Sequence, residues 1–349
     1  MSRIQDVRIV ISVANARDGD DDAQQPRPAM LGGIPSPIPD IPVSAVLLAL
    51  FAIGGATHLT IFLRNKRRGP EHHFFFSFLL FVFPVTRIVA LSLRMAWARV
   101  PGDADVALAA TVFTAAGVLI LFIVNLIMAR RVVRALHPRH GRHPVLTRAF
   151  AALIATVVAV LIMVVVCTVH SNVGNPSPSA LARERDVLRF AGVYMTVLAL
   201  LPAVAVVLAS VVPNSGTQPP EPLGTEKGGP MWAKVALLIS TSLLLTLGAG
   251  FRIGVNFAAK PVGQEQWYHS KAAFYCFNFV LDLIVVYAYA IFRFDRMFHI
   301  PPSVEAKTSP SGRPSGDDRG VADGSGSRQD PEKGLNAEKR SLGGKGRTL

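Results

Sequence analysis

One carboxylate stands out by position. Asp282 lies near the centre of the apolar run AFYCFNFVLDLIVVYAYAIF, residues 273–292. A lone charge at the middle of a bilayer costs about 2.5–3.5 kcal/mol on insertion scales, so such groups usually have a partner or a task. Tyr275, Asn278, Asp282 and Tyr289 follow one another at offsets of 3, 4 and 7 residues, which puts them on one face of a helix. The matching cation is Arg87, in FVFPVTRIVALSL. At 1.5 Å of rise per residue the two charges differ in depth by about 5 Å, within reach of an arginine side chain. The spacing therefore predicts an Arg87–Asp282 ion pair, hydrogen-bonded to Asn278. Two roles fit it: a lock that holds helices together, or a ligand contact or switch.

Other candidates carry less chemistry. His58 and Asn125 sit inside apolar runs and read as satisfied packing residues. His137, His140 and His143 occur in HPRHGRHP, but the surrounding arginines oppose a bound cation, so no metal is expected. Cys167 and Cys276 are the only cysteines; they fit neither a disulfide framework nor a zinc site and read as buried thiols. Ser242, Thr246, Gly250 and Gly254 recur every fourth residue, a row of small side chains that lets a neighbouring helix approach closely. The glycines of LGAGFRIG have the wrong spacing for a dinucleotide loop. There is no nucleophile elbow, no phosphate-binding loop, no set of histidines for a zinc hydrolase and no central lysine in the last span. Neither an enzyme nor a cofactor is expected.

The elements that must position these residues are membrane helices. Of 349 residues 50% are hydrophobic, and the mean hydropathy is positive, which points to a polytopic membrane protein. About 20 apolar residues cross a bilayer core, and seven segments qualify: 43–63, 74–93, 106–129, 145–169, 187–212, 232–251 and 272–294. The expected fold is an all-α integral membrane bundle of seven transmembrane helices. Pro84 should kink the second. The net charge of +13 is concentrated in loops beside these runs, which indicates a membrane surface and not nucleic acid.

Arg64, Lys66, Arg67 and Arg68 follow the first span, and Arg130, Arg131, Arg134, Arg139 and Arg142 follow the third. The opposite loops are poorer in cations. The positive-inside rule then puts both basic loops in the cytosol, the N-terminus outside and the C-terminus inside. Residues 1–42 read as a flexible extracellular N-terminus, 43–294 as the seven-helix domain and 295–349 as a disordered cytosolic tail. The loop NSGTQPPEPLGTEKGGP reads as flexible.

The runs AAGVLILFIVNLIMARRVVRALHP, SLLLTLGAGFRIGVNF and WYHSKAAFYCFNFVLDLIVVYAYAIFRFDRMFHIP resemble a filamentous-fungal family of seven-span proteins labelled "family C-like G-protein-coupled receptor", a domain otherwise of unknown function. The resemblance runs from about Val43 to Pro301. That family often carries glutamate where this chain has Asp282. About forty outer residues are too few for the large ligand-binding module of true family C receptors. The D-R-Y and N-P-x-x-Y motifs of the commonest receptors are absent too. The resemblance implies a receptor-like protein of the plasma membrane, with a ligand near Arg87, Asn278 and Asp282 and a cytosolic G protein as partner. The intramembrane charges also fit a lipid or small-molecule exporter or facilitator of the fungal heptahelical type. A third reading is a structural membrane protein.

Overall fold

A computed structural model describes residues 29–67, 75–173, 177–213, 222–225 and 228–299. Among these residues seven helices are long and apolar enough to cross a membrane: span 1 (Pro37–Arg67), span 2 (Phe75–Arg99), span 3 (Ala104–Leu136), span 4 (Pro144–Ser171), span 5 (Ser179–Val211), span 6 (Met231–Phe257) and span 7 (Lys271–Ile291). The chain is an all-helical, multi-pass integral membrane protein. An odd number of crossings puts the start of span 1 and the end of span 7 on opposite faces, called here the N-face and the C-face.

Span 1 begins at Pro37, six residues before the expected start at Val43. The reason is periodicity. Asp40, Ser44, Leu47, Phe51, Gly54, His58, Ile61 and Asn65 are all buried, one continuous stripe at steps of three and four. The apolar run that reveals a span in sequence starts later than this stripe, because its first two members are polar. Span 1 packs along spans 2 and 7, span 2 along span 3, and span 5 along span 6. Span 3 touches spans 2, 4, 5 and 6 and forms the centre of the bundle. Its middle is solid with Leu121, Phe122, Val124 and Met128, all at most 1% exposed. Span 4 is the outlier. Its most apolar window has a mean hydropathy of 3.1 yet is only 11% buried, against 56% in span 7. The most apolar helix thus turns the least surface inward, as expected where lipid and not water surrounds the protein.

Three departures from regular helix occur around Arg87. Pro84 lies within span 2, three residues earlier. Span 3 is two helices, Ala104–Ala116 and Leu119–Leu136, with a break at Gly117 and Val118. Span 7 carries a π-helical turn at Cys276–Val280. Such breaks free backbone carbonyls and widen the helix, and they cluster at functional sites. The π turn also alters the register of span 7. Cys276 is exposed on the outside of the bundle, contrary to its expected burial, and Cys167 is half-buried.

Candidate functional site

The Arg87 guanidinium and the Asp282 carboxylate meet at 2.5 Å, with the arginine side chain fully buried and the aspartate 4% exposed. Arg87 Nη1 donates a second hydrogen bond to the Thr114 carbonyl at 2.7 Å. That oxygen sits just before the break in span 3. Gly117 makes the approach possible: a Cβ there would stand 3.1 Å from Arg87 Nη1. The rings of Phe83 and Phe279 flank the guanidinium at 5.2 and 5.5 Å, so it is held by cation–π attraction as well. Arg87 Nε is buried without a hydrogen-bond partner among the described residues. The cation is therefore anchored but not saturated.

Asn278 does not complete this pair, contrary to expectation. Its amide nitrogen donates to the Phe274 carbonyl at 2.9 Å, and its oxygen accepts from Arg252 Nη1 at 3.4 Å. The π turn explains the difference, because it changes the angle between Asn278 and Asp282 from that of a plain helix. Arg252, in span 6, is the functional candidate that sequence reasoning missed. It lies near enough to feel both Asp282 and Arg87 electrostatically. In the sequence it lies in the run LGAGFRIG, between Gly250 and Gly254. The available signal was an arginine immediately after the expected end of span 6 at residue 251, closing a long apolar run.

Arg252 also lines a cavity. This space, about 720 Å³, lies among spans 3, 4, 5 and 6 toward the N-face. Val118 and Leu119 from the break in span 3 contribute to its wall, with Phe122, Leu161 and Met195. The polar residues around it are Arg185, Arg189, Arg252, Asn256 and Lys260. The volume is within the range of about 300–1,000 Å³ usual for small-molecule sites.

A second buried cluster ties spans 1, 2 and 7 together at the N-face. Asp40 is fully buried. Its carboxylate accepts from Arg94 Nε at 3.0 Å, Lys271 Nζ at 2.5 Å and the Tyr275 hydroxyl at 2.7 Å. Tyr275 shares a 2.9 Å hydrogen bond with Ser44. Arg94 lies over the Phe274 ring at 3.9 Å and donates to the Gly32 carbonyl at 3.1 Å. Gly32 N–H in turn donates to the His269 carbonyl. Residues expected to be flexible, 29–42, are thus partly stitched to spans 2 and 7. Tyr275 belongs to this cluster and not to the Arg87–Asp282 site.

Tyr289 lies elsewhere again, toward the C-face. It is fully buried and its hydroxyl bonds Asn125 and Thr241, the latter at 3.0 Å. Asn125 also donates to Ser242 at 3.2 Å. The stripe predicted on span 7 is buried throughout, but it serves three separate levels. His58 hydrogen-bonds the Val286 carbonyl at 3.0 Å. In the small-residue row, Ser242 is buried and Thr246 bonds back to the Ser242 carbonyl. A Cβ on Gly250 would meet only Thr196, at 3.6 Å, and Gly254 is exposed with open space around it. The close approach is made instead by Gly248, where a Cβ would stand 2.9 Å from the Phe277 carbonyl in the π turn.

On the C-face, Arg64, Lys66 and Arg67 are exposed, and Arg68 lies outside the described residues. Arg130 donates to Thr147 at 3.0 Å and Arg131 to the Phe298 carbonyl at 2.6 Å, while Arg134 is half-buried. The segment after span 7 forms a short helix, Phe294–Met297, and packs into the bundle. Its Asp295 accepts from Asn65 at 2.8 Å and from both Arg293 Nε and Nη2. Burial pushes the Asp295 carboxyl up, but these hydrogen bonds outweigh it and hold it below the usual carboxylate range. Part of the loop expected to be flexible is fixed here too: Gly224 and Thr225 N–H groups donate to the His299 and Arg296 carbonyls. Of the three loop histidines, His137 bonds the Ala209 carbonyl, His143 accepts from the Val145 N–H, and the side chain of His140 lies outside the described residues. Among the described residues no group of His, Cys, Asp and Glu side chains is placed to hold a metal ion.

A family model described as "Protein of unknown function (DUF3112)" matches residues 231–299. That stretch contains spans 6 and 7 and the segment docked on the C-face. It includes Gly248, Arg252, Asn278, Asp282, Tyr289 and Asp295. Comparison with curated proteins and with solved structures finds no match.

Proposed function

We propose that this chain is a heptahelical, receptor-like protein of the plasma membrane and not an enzyme. In this reading the N-face is extracellular and a small ligand enters the cavity among spans 3 to 6. The observation that supports it most is the double membership of Arg252. One side of that residue faces the cavity, and the other reaches Asn278 and the Arg87–Asp282 pair. A ligand that draws on Arg252 changes the field at Asp282. Asp282 holds Arg87, and Arg87 holds the broken middle of span 3. Helix breaks in spans 3 and 7 give these elements room to rearrange. An agonist would act by binding one arrangement better than the other. The exposed cations Arg64, Lys66 and Arg67, together with the end of span 3, would face a cytosolic G protein.

Membranes from cells with and without the chain test this. Nucleotide exchange on G proteins is followed while extracts of culture medium are added, and toxicant efflux is followed in the same cells. The expected result is a chain-dependent exchange signal that Arg252→Gln removes while surface abundance is kept. Chain-dependent efflux without exchange would establish the exporter instead. Loss of abundance with neither output in Asp282→Asn cells would reduce the pair to a structural lock.

A further inference from the structure

We infer that the cavity among spans 3 to 6 binds a single-chain amphiphile with an anionic headgroup, its head toward the N-face and its tail toward the bundle centre. Cations and apolar side chains are segregated within the cavity. Arg185 and Lys260 are exposed at its mouth, and Arg189 and Arg252 are half-buried further in. The deeper wall is apolar, with Phe122 and Met195. No carboxylate is among the lining residues. Arg189 and Arg252, half-buried without a lining acid, repel one another, and an anion relieves that cost.

The cations are also incompletely partnered. Arg189 Nε is buried with no hydrogen-bond partner among the described residues. Among the described residues its acidic neighbour is Asp186, 75% exposed and 3.5 Å away, a weak surface contact. The other acid nearby in sequence, Glu184, is occupied by His170 and Ser171. Arg252 donates one long hydrogen bond, to an uncharged amide, and the acid within its electrostatic reach, Asp282, is bonded by Arg87. Two arginine forks thus stand available for one carboxylate or phosphate, a group they bind with directional, charge-assisted hydrogen bonds. A headgroup alone would leave the apolar wall unfilled, and a neutral lipid would leave the forks unpaired.

This assignment rests on the cavity being the ligand site proposed above. Binding is read on the purified chain without any signalling output, so the two readings fail separately. The probe is cis-parinaric acid, whose fluorescence rises on binding, added to full-length protein in nanodiscs of neutral phospholipid. Saturable binding is expected. Oleate and hexadecyl phosphate should both displace the probe, and the better competitor identifies the head as carboxylate or phosphate. Oleyl alcohol, with the chain but no charge, should compete about tenfold or more weakly, as should acetate, with the charge but no chain. Arg189→Gln should weaken binding by about tenfold. Met195→Trp, which fills the apolar end, should abolish it. Arg183→Gln, an exposed cation outside the cavity, should have no effect. Because Arg252→Gln also disturbs the Asp282 site, Arg189→Gln and Met195→Trp carry the test, each checked for unchanged thermal unfolding. Equal competition by oleyl alcohol would overturn the inference. So would full binding by the Met195→Trp protein, which would place the probe on the outer lipid-facing surface.

Discussion

Two aspartates show how a charge inside a bundle is kept. Asp282 has one direct cation, Arg87, and a second, Arg252, within electrostatic reach. Breaking a buried pair leaves an uncompensated charge and typically costs about 3–5 kcal/mol. Asp282→Asn should therefore lower the unfolding temperature and the surface level, and Arg87→Leu in the same chain should restore much of both. Thermal unfolding of the purified single and double variants measures this; a double variant no better than Asp282→Asn alone would contradict it. Asp295 gives a pH prediction. Its folded-state pKa is depressed by Arg293 and Asn65 against the opposing effect of burial. The stabilisation it gives is present above the unfolded value of about 3.9 and is lost as pH falls through the lower folded value. Wild type should therefore unfold at a higher temperature than Asp295→Asn at pH 7, and the gap should close as the pH is brought below about 4. A gap unchanged at low pH would show that Asp295 contributes nothing through its charge. The depth and reach of Arg87 and Asp282 were legible because charges are rare in apolar runs. Arg252 was less so, because its value comes from a cavity assembled by four helices.

At the scale of elements, glycine placement separates spacing from contact. The row Ser242, Thr246, Gly250, Gly254 has the right period, yet its last member faces outward. Gly248, off that row, meets the Phe277 carbonyl. A periodic pattern gives a face, but the π turn in span 7 determines where that face meets backbone. Gly248→Ala should lower the unfolding temperature by several degrees, even though alanine favours helix by up to about 1 kcal/mol. Gly254→Ala should leave it unchanged or raise it slightly. Equal behaviour of the two variants would mean that the approach of span 7 to Gly248 is not tight. The seven helices themselves were legible from hydropathy alone, to within four residues at nine of their fourteen ends. The start of span 1 was not, because Asp40 and Ser44 continue its buried stripe with polar side chains, and their partners Arg94, Lys271 and Tyr275 come from distant parts of the chain.

For the whole molecule, Asp40 and its partners tie spans 1, 2 and 7 together at the N-face, and the segment after span 7 docks on the C-face. Between them lie the cavity among spans 3 to 6 and the buried Arg87–Asp282 pair. The proposed orientation puts the N-face outside. Epitope tags at the two termini should be stained from opposite sides of the membrane, the C-terminal one only after permeabilisation. Staining of both in intact cells would refute the orientation. In the proposed function, Arg252 joins the cavity to the Arg87–Asp282 pair. A double-mutant cycle on thermal stability, with Arg252→Gln, Asp282→Asn and the double variant, tests that link most directly. With Asp282 neutralised, Arg252 and Arg87 repel across the site, so removing Arg252 should then cost less than it does in wild type, or even stabilise. The predicted coupling is about 0.5–3 kcal/mol, as for residues in one charged network. Costs that add to within about 0.3–0.5 kcal/mol would mean that the two residues are independent and that nothing bound in the cavity is felt at the pair.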